Sequence, residues 1–169
     1  MLWTSIATGK YPDKHGIVGF ASSDPVAGGL RPMQSSDRTC KAVWEILGEH
    51  GLTTNVIGWF ASHPAESING ICVTDAFARP VPGRTRSPLP RGSIFPPKLD
   101  DEFALLRLHP DEVDPAVMRL FIPRIAEIDL RKDPRPLQLA VRLAELYSVH
   151  NAAIASLELG ACDFLAAYY

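Results

Sequence analysis

The residues best equipped to bind or transform a small molecule collect in one loop, Ala61-Ser62-His63-Pro64-Ala65-Glu66-Ser67-Ile68-Asn69-Gly70. The loop follows an apolar, β-branched run, Thr53 to Phe60, and open α/β sheets seat their ligands at the carboxyl ends of such strands. His63 or Glu66 is therefore expected to touch substrate. Trp59, just before the loop, reads as core or as a stacking platform. His15, His50, His109 and His150 are the other histidines, and no two of the five stand at the i,i+3 or i,i+4 spacing that puts a ligand pair on one helix face. His150 falls on an apolar helical stripe, where a hydrogen-bonded core histidine is expected. His50 sits at a helix C-terminus, whose partial charge favours a cation by about 0.3–1 kcal/mol.

Other motifs fail on inspection. Thr8-Gly9-Lys10 partly matches a phosphate-binding loop, but the required earlier glycine is Thr4 and Lys10 is followed by Tyr11. No Gly-x-Gly-x-x-Gly and no Gly-x-Ser-x-Gly elbow occurs. Asp100-Asp101-Glu102 reads as charge at a helix N-terminus. The three cysteines, Cys40, Cys72 and Cys162, form no Cys-x-x-Cys pair; they suggest neither a zinc knuckle nor a disulfide framework, and read as small buried hydrophobes.

With 169 residues, 46% of them hydrophobic, the chain can bury one core. The 17 basic and 19 acidic residues nearly balance, which removes the electrostatic case for a nucleic-acid partner. No run of about eighteen apolar residues is present, so no membrane span is expected.

The elements that must position the loop can be read in order. Leu2 to Ala7 makes a short helix, Gly9 stops it, and Pro12 forbids continuation. Gly19 to Asp37, rich in Gly, Pro, Ser and Asp, reads as loop. A helix follows, capped by Ser36, Asp37 or Thr39, with Cys40, Val43, Trp44 and Leu47 on one face and Gly51 as its stop. Thr53 to Phe60 is a buried parallel strand and Ile71 to Phe77 a second one. The stretch from about 78 to 97 contains Pro80, Pro82, Pro88, Pro90, Pro96 and Pro97 with Arg79, Arg84, Arg86 and Arg91; it excludes helix and strand interior and reads as a solvated connection. Short helices run from Leu99 and over Pro115 to Phe121. The longest helix follows Pro134 and Pro136, with Leu139, Leu143, Leu146, His150, Ala153 and Leu157 forming its core stripe at spacings of four, three, four, three and four. Gly160 ends it before a last strand, Cys162 to Tyr169.

The opening, with Thr8-Gly9, Pro12 and His15-Gly16-Ile17 in order, resembles the turn after the nucleophile in type I phosphodiesterases and nucleotide pyrophosphatases of the alkaline phosphatase superfamily. Gly58, Trp59, Pro64, Ala65, Glu66, Asn69 and Gly70 resemble a stretch of bacterial members, and Asp163 to Tyr169 is similar to the strand leading into that family's Asp-x-x-x-His metal motif. The resemblance implies an α/β fold: part of an alkaline-phosphatase-like sandwich with a mostly parallel sheet flanked by helices, residues 1–169 being an internal part of one catalytic domain truncated at both ends. It makes Thr8, Gly9, His15 and Gly16 a structural turn, with His15 hydrogen-bonded beneath the site. The family's phosphate-binding Asn after this turn is replaced here by Phe20, so that role is not carried over.

The implied activity is phosphoester hydrolysis by a Ser or Thr nucleophile upstream of Met1, aided by two divalent ions, typically zinc. Their ligands would lie outside this chain, so no catalytic or metal residue is expected within it and the chain alone is expected to be inactive. The partner would be a small phosphorylated substrate. Any signal peptide would also lie upstream of Met1, leaving localisation open. Open sheet edges are expected to promote self-association. The alternative is a non-catalytic α/β interaction or regulatory module.

Overall fold

Four consecutive buried residues, Thr54–Ile57, form the central strand of the protein. The computed structural model describes residues 2–24, 26–79 and 87–169; Pro80, Pro82, Arg84 and Arg86, assigned above to a solvated connection, lie outside them. In chain order the described elements are helix α1 (Leu2–Thr8), helix α2 (Pro12–His15), strands β1 (Ala21–Ser23) and β2 (Leu30–Pro32), helix α3 (Val43–Glu49), strands β3 (Thr54–Ile57), β4 (Gly70–Val73) and β5 (Ile94–Phe95), helices α4 (Asp100–Ala104), α5 (Pro115–Phe121) and α6 (Arg135–Glu158), and strand β6 (Phe164–Ala167).

The main sheet has the order β5-β4-β3-β6. β3 pairs in parallel with β4, Val56 opposite Cys72, and with β6, Val56 opposite Ala166; β5 runs antiparallel to β4. The sheet is thus mixed but mostly parallel, with helices on its faces, as the α/β expectation requires. Strand alternation divides the core. Val56 and Cys72 point to one face with Ala7, Ala42 and Trp44. Ile57 and Val73 point to the other with Phe77, Phe103, Ala152 and Ala153. Asn55, though polar, is only 2% exposed, because its amide donates to Ser156 O at 3.1 Å and accepts from Ile71 N at 3.1 Å. Both bonds knit β3 to its neighbours, so burial leaves no amide function unmet.

Several expectations are corrected. The stretch from Gly19 to Asp37 contains the antiparallel hairpin β1–β2. Asp37 does not cap α3; its carboxylate takes Arg31 and the Gln34 N–H, while Glu45 accepts from Ala42 N at 2.7 Å to close the helix start. β4 ends at Val73, giving way to a turn closed by Phe77 N donating to Thr74 O. In the proline-rich stretch, Ile94 and Phe95 do pair with β4, but as a two-residue edge strand, the position where flanking prolines are tolerated. Pro136 lies inside α6 and is buried.

The buried face of α6 is also rotated from the expected stripe. It carries Ala140, Ala144, Ser148, Ala152 and Ser156, one every four residues, with Leu143 and Ala153. Leu146 and Leu157 are each 44% exposed, and His150 is exposed. His150 is therefore not a core histidine; its Nδ1 meets the Tyr169 hydroxyl at 3.2 Å. The helix lies close enough to β3 for Ser156 O to bond Asn55, and that approach selects small side chains over leucines.

Candidate functional site

β3, β4 and β6 are parallel and release their chains at one edge of the sheet. There Gly58–His63 leaves β3, Thr74 and Asp75 leave β4, and Tyr168 and Tyr169 leave β6. Gly58 N donates to Val73 O and Tyr168 N to Ile57 O, so the strand exits stay laced together. Gly58 has φ 68°, and a Cβ there would lie 2.6 Å from Tyr168 O, a spacing only glycine permits.

The loop is then folded back on the end of β4. Ala61 adopts φ 57°. Ser62, 2% exposed, donates to Trp59 O at 2.6 Å and accepts from Asp75 N at 3.1 Å. The His63 N–H donates to Asp75 Oδ1 at 3.2 Å, and its carbonyl accepts from Ser35 N at 2.8 Å. The His63 ring is partly buried, with Nδ1 at 3.3 Å from Thr74 Oγ1. Burial pulls its pKa below the ordinary 6.5, the Arg79 charge adds to that, and Asp75 opposes it. Asp75 is itself paired with Arg79.

Glu66 goes elsewhere. Its carboxylate accepts from Arg38 at 2.7 Å and from Trp44 Nε1 at 3.3 Å, and Arg38, whose side chain is 6% exposed, also pairs with Glu45. Trp59 stands between these regions. Its indole N–H donates to Trp3 O at 3.2 Å, with edge-on contacts to Trp3 at 5.9 Å and Trp44 at 6.0 Å. The structure thus joins Trp59 to the packing of α1 and α3, and gives Glu66 to a partly buried ion network around Arg38, while His63 remains at the sheet edge.

The opening turn is built on hydrogen bonds. His15 is fully buried; its Nδ1 accepts from Ile17 N at 3.1 Å, which places the ring hydrogen on Nε2, 3.0 Å from Ser5 Oγ. That tautomer cannot take a proton from Ser5 at Nε2, so the pair is no nucleophile–base dyad. Thr8 Oγ1 donates to Thr4 O at 2.7 Å, Gly9 ends α1 at φ 63°, and a Cβ on Gly16 would come within 2.9 Å of Asp37 O.

Two cavities lie away from this edge. One, of about 80 Å³, is bounded by Ala78, Ser87, Arg107, Leu108, Val141 and Glu145. There Arg107 donates to Ser87 O at 2.8 Å and Arg79 O at 3.3 Å, tying together the chain on either side of residues 80–86. The other, about 310 Å³, opens at the amino ends of the strands near Thr53, Gly70 and Gly160.

The whole chain, residues 1–169, matches the family model described as Type I phosphodiesterase / nucleotide pyrophosphatase. The chain belongs to that family. No curated protein and no solved structure matches. Membership establishes a phosphodiesterase/pyrophosphatase-type hydrolase family, whose members are generally metal-dependent. In this phosphodiesterase-family chain the residues present do not fit such a centre. Among the described residues no three His, Cys, Asp or Glu side chains gather as ligands; both His15 nitrogens are engaged and Asp75 is claimed by Arg79. No helix among the described residues is long and apolar enough to cross a membrane.

Sequence reasoning singled out His63 as a candidate but passed over Thr74 and Asp75, the groups that hold it. The available signal was a polar Thr-Asp pair directly after the buried Cys72-Val73, the same strand-end position that drew notice to His63.

Proposed function

We propose that this chain supplies the scaffold and the substrate-facing sheet edge of a metal-dependent phosphoester hydrolase. The Ser or Thr nucleophile and the ion ligands belong to segments adjoining these 169 residues. A small phosphorylated substrate lies against the His63 loop, while Trp59 supports that loop from the core side. Glu66 acts at one remove, by fixing the loop through Arg38. The observation that carries this is the convergence of His63, Thr74 and Asp75 where parallel β3 and β4 end, the position at which α/β sheets bind ligands, in a chain of this hydrolase family.

The test compares the 169-residue chain with the same chain extended by its flanking reading frame. Both are supplied with zinc and assayed on generic phosphodiesters and phosphomonoesters. Turnover is expected only in the extended protein, and His63→Ala in that protein, by removing a donor to the phosphoryl oxygen, is expected to lower it by about 10²-fold. Equal turnover by the short chain would overturn the placement of nucleophile and ligands. An extended protein inert on every ester would overturn the hydrolase reading.

A further inference from the structure

The two ring nitrogens of His63 have different surroundings, and the Thr74 hydroxyl decides which carries the hydrogen. Nδ1 lies 3.3 Å from Thr74 Oγ1. Nε2 has no partner among the described residues and is not sealed from solvent. Thr74 is 1% exposed, and its hydroxyl has no other partner among the described residues. Were Nδ1–H to donate to Oγ1, the buried hydroxyl hydrogen would have no acceptor, the costly kind of unmade bond. With the hydroxyl donating to a bare Nδ1, both members of this pair are met. The ring hydrogen then sits on Nε2, where water or a ligand accepts it.

We infer that Thr74 is a positioning residue that holds His63 as the Nε2–H tautomer, so that His63 offers a neutral hydrogen-bond donor to a phosphate-type oxygen at the carboxyl edge of the sheet. The identity of the ligand rests on the hydrolase reading above; the tautomer does not. The groups facing the ring agree with a neutral form: burial and Arg79 disfavour the imidazolium, and the opposing Asp75 is neutralised by Arg79. His15 is set the same way, with a backbone N–H in place of the threonine hydroxyl. A neutral Nε2–H donor can hold and polarise an anionic oxygen, but it cannot accept a nucleophile's proton at that atom. The inference therefore assigns His63 to binding charge and excludes it as the general base.

The experiment is long-range ¹H–¹⁵N correlation of the imidazoles in the labelled 169-residue chain near neutral pH. The expected His63 pattern has Nε2 protonated and Nδ1 bare. Thr74→Val, which keeps the volume but removes the donor, should move His63 towards a tautomer mixture, and Thr74→Ser should preserve the wild-type pattern. An Nδ1–H pattern in the wild type overturns the inference without any variant, so a misfolded Thr74→Val does not shield it. Inorganic phosphate is then titrated in. A saturable shift at His63 Nε2–H, with none at buried His15, supports the donor role. The expected tautomer with no phosphate response at His63 overturns that role, whereas the hydrolase reading is judged separately by turnover of the extended protein.

Discussion

At Gly58 a single hydrogen atom in place of a side chain lets β3 and β6 leave the sheet side by side. A methyl group would meet Tyr168 O at 2.6 Å, on backbone already at φ 68°. Gly58→Ala is expected to cost about 1–3 kcal/mol, measured as a lower urea midpoint. The loss should exceed that of an alanine at Gly28, where nothing lies within 4 Å. His15 supports a prediction of a different kind. Burial lowers its pKa from 6.5, so below that value the unfolded chain takes up a proton that the folded one refuses. Stability is therefore full above the unfolded pKa and declines as pH falls towards the folded one; His63 has the same sign. Unfolding followed between about pH 7.5 and about pH 5.5 should show this decline, and His15→Gln should flatten it. A stability that rises on acidification over this range would refute the buried, neutral assignment.

Elements show why part of this fold can be read from sequence and part cannot. β3 and β4 announce themselves because β-branched, apolar runs bounded by Gly and polar residues have few other uses, and α1 and α3 because Gly9 and Gly51 end them. The β1–β2 hairpin does not, since Ala21-Ser22-Ser23 and Leu30-Arg31-Pro32 have no apolar alternation and are held by backbone pairing and the Arg31–Asp37 ion pair. The site divides in the same way: His63 stands out by residue type and strand-end position, whereas the partners of Glu66 depend on Arg38, distant in sequence. The orientation of α6 was hidden for a physical reason. Leucine periodicity marks a face that likes burial, but close approach to a sheet rewards small residues, and here that requirement prevails. Ala152, fully buried against Ile57 and Phe103, has no room for growth. Ala152→Leu is expected to destabilise by about 1–3 kcal/mol, while Leu146→Gln, on the expected but unused face, should change stability by no more than about 0.5 kcal/mol. Thermal melts of the two variants would reverse in order if the leucine stripe were the true core face.

For the molecule as a whole, the two edges of the main sheet are unlike. β5 is two residues long and is followed at once by Pro96 and Pro97, features that discourage a further strand from pairing. β6 is four residues of Phe-Leu-Ala-Ala without charge or proline, paired on one side with β3 and with no strand on its other side among the described residues. Leu165 is 37% exposed there, and Leu2, Ile6, Leu146, Ile154 and Leu157 add exposed apolar surface on the flanking helices. An edge of this kind is complementary to itself in antiparallel register, so a second copy can extend the sheet across a two-fold axis. Sedimentation velocity of the 169-residue chain is expected to show association that grows with concentration. Leu165→Lys places a charge on the exposed side of the strand without touching the β3 ladder. It should shift the population to monomer while leaving the melting temperature of the monomer nearly unchanged. A wild-type chain that remains monomeric at its highest soluble concentration would show that the twist of β6 or its flanking helices already protect this edge.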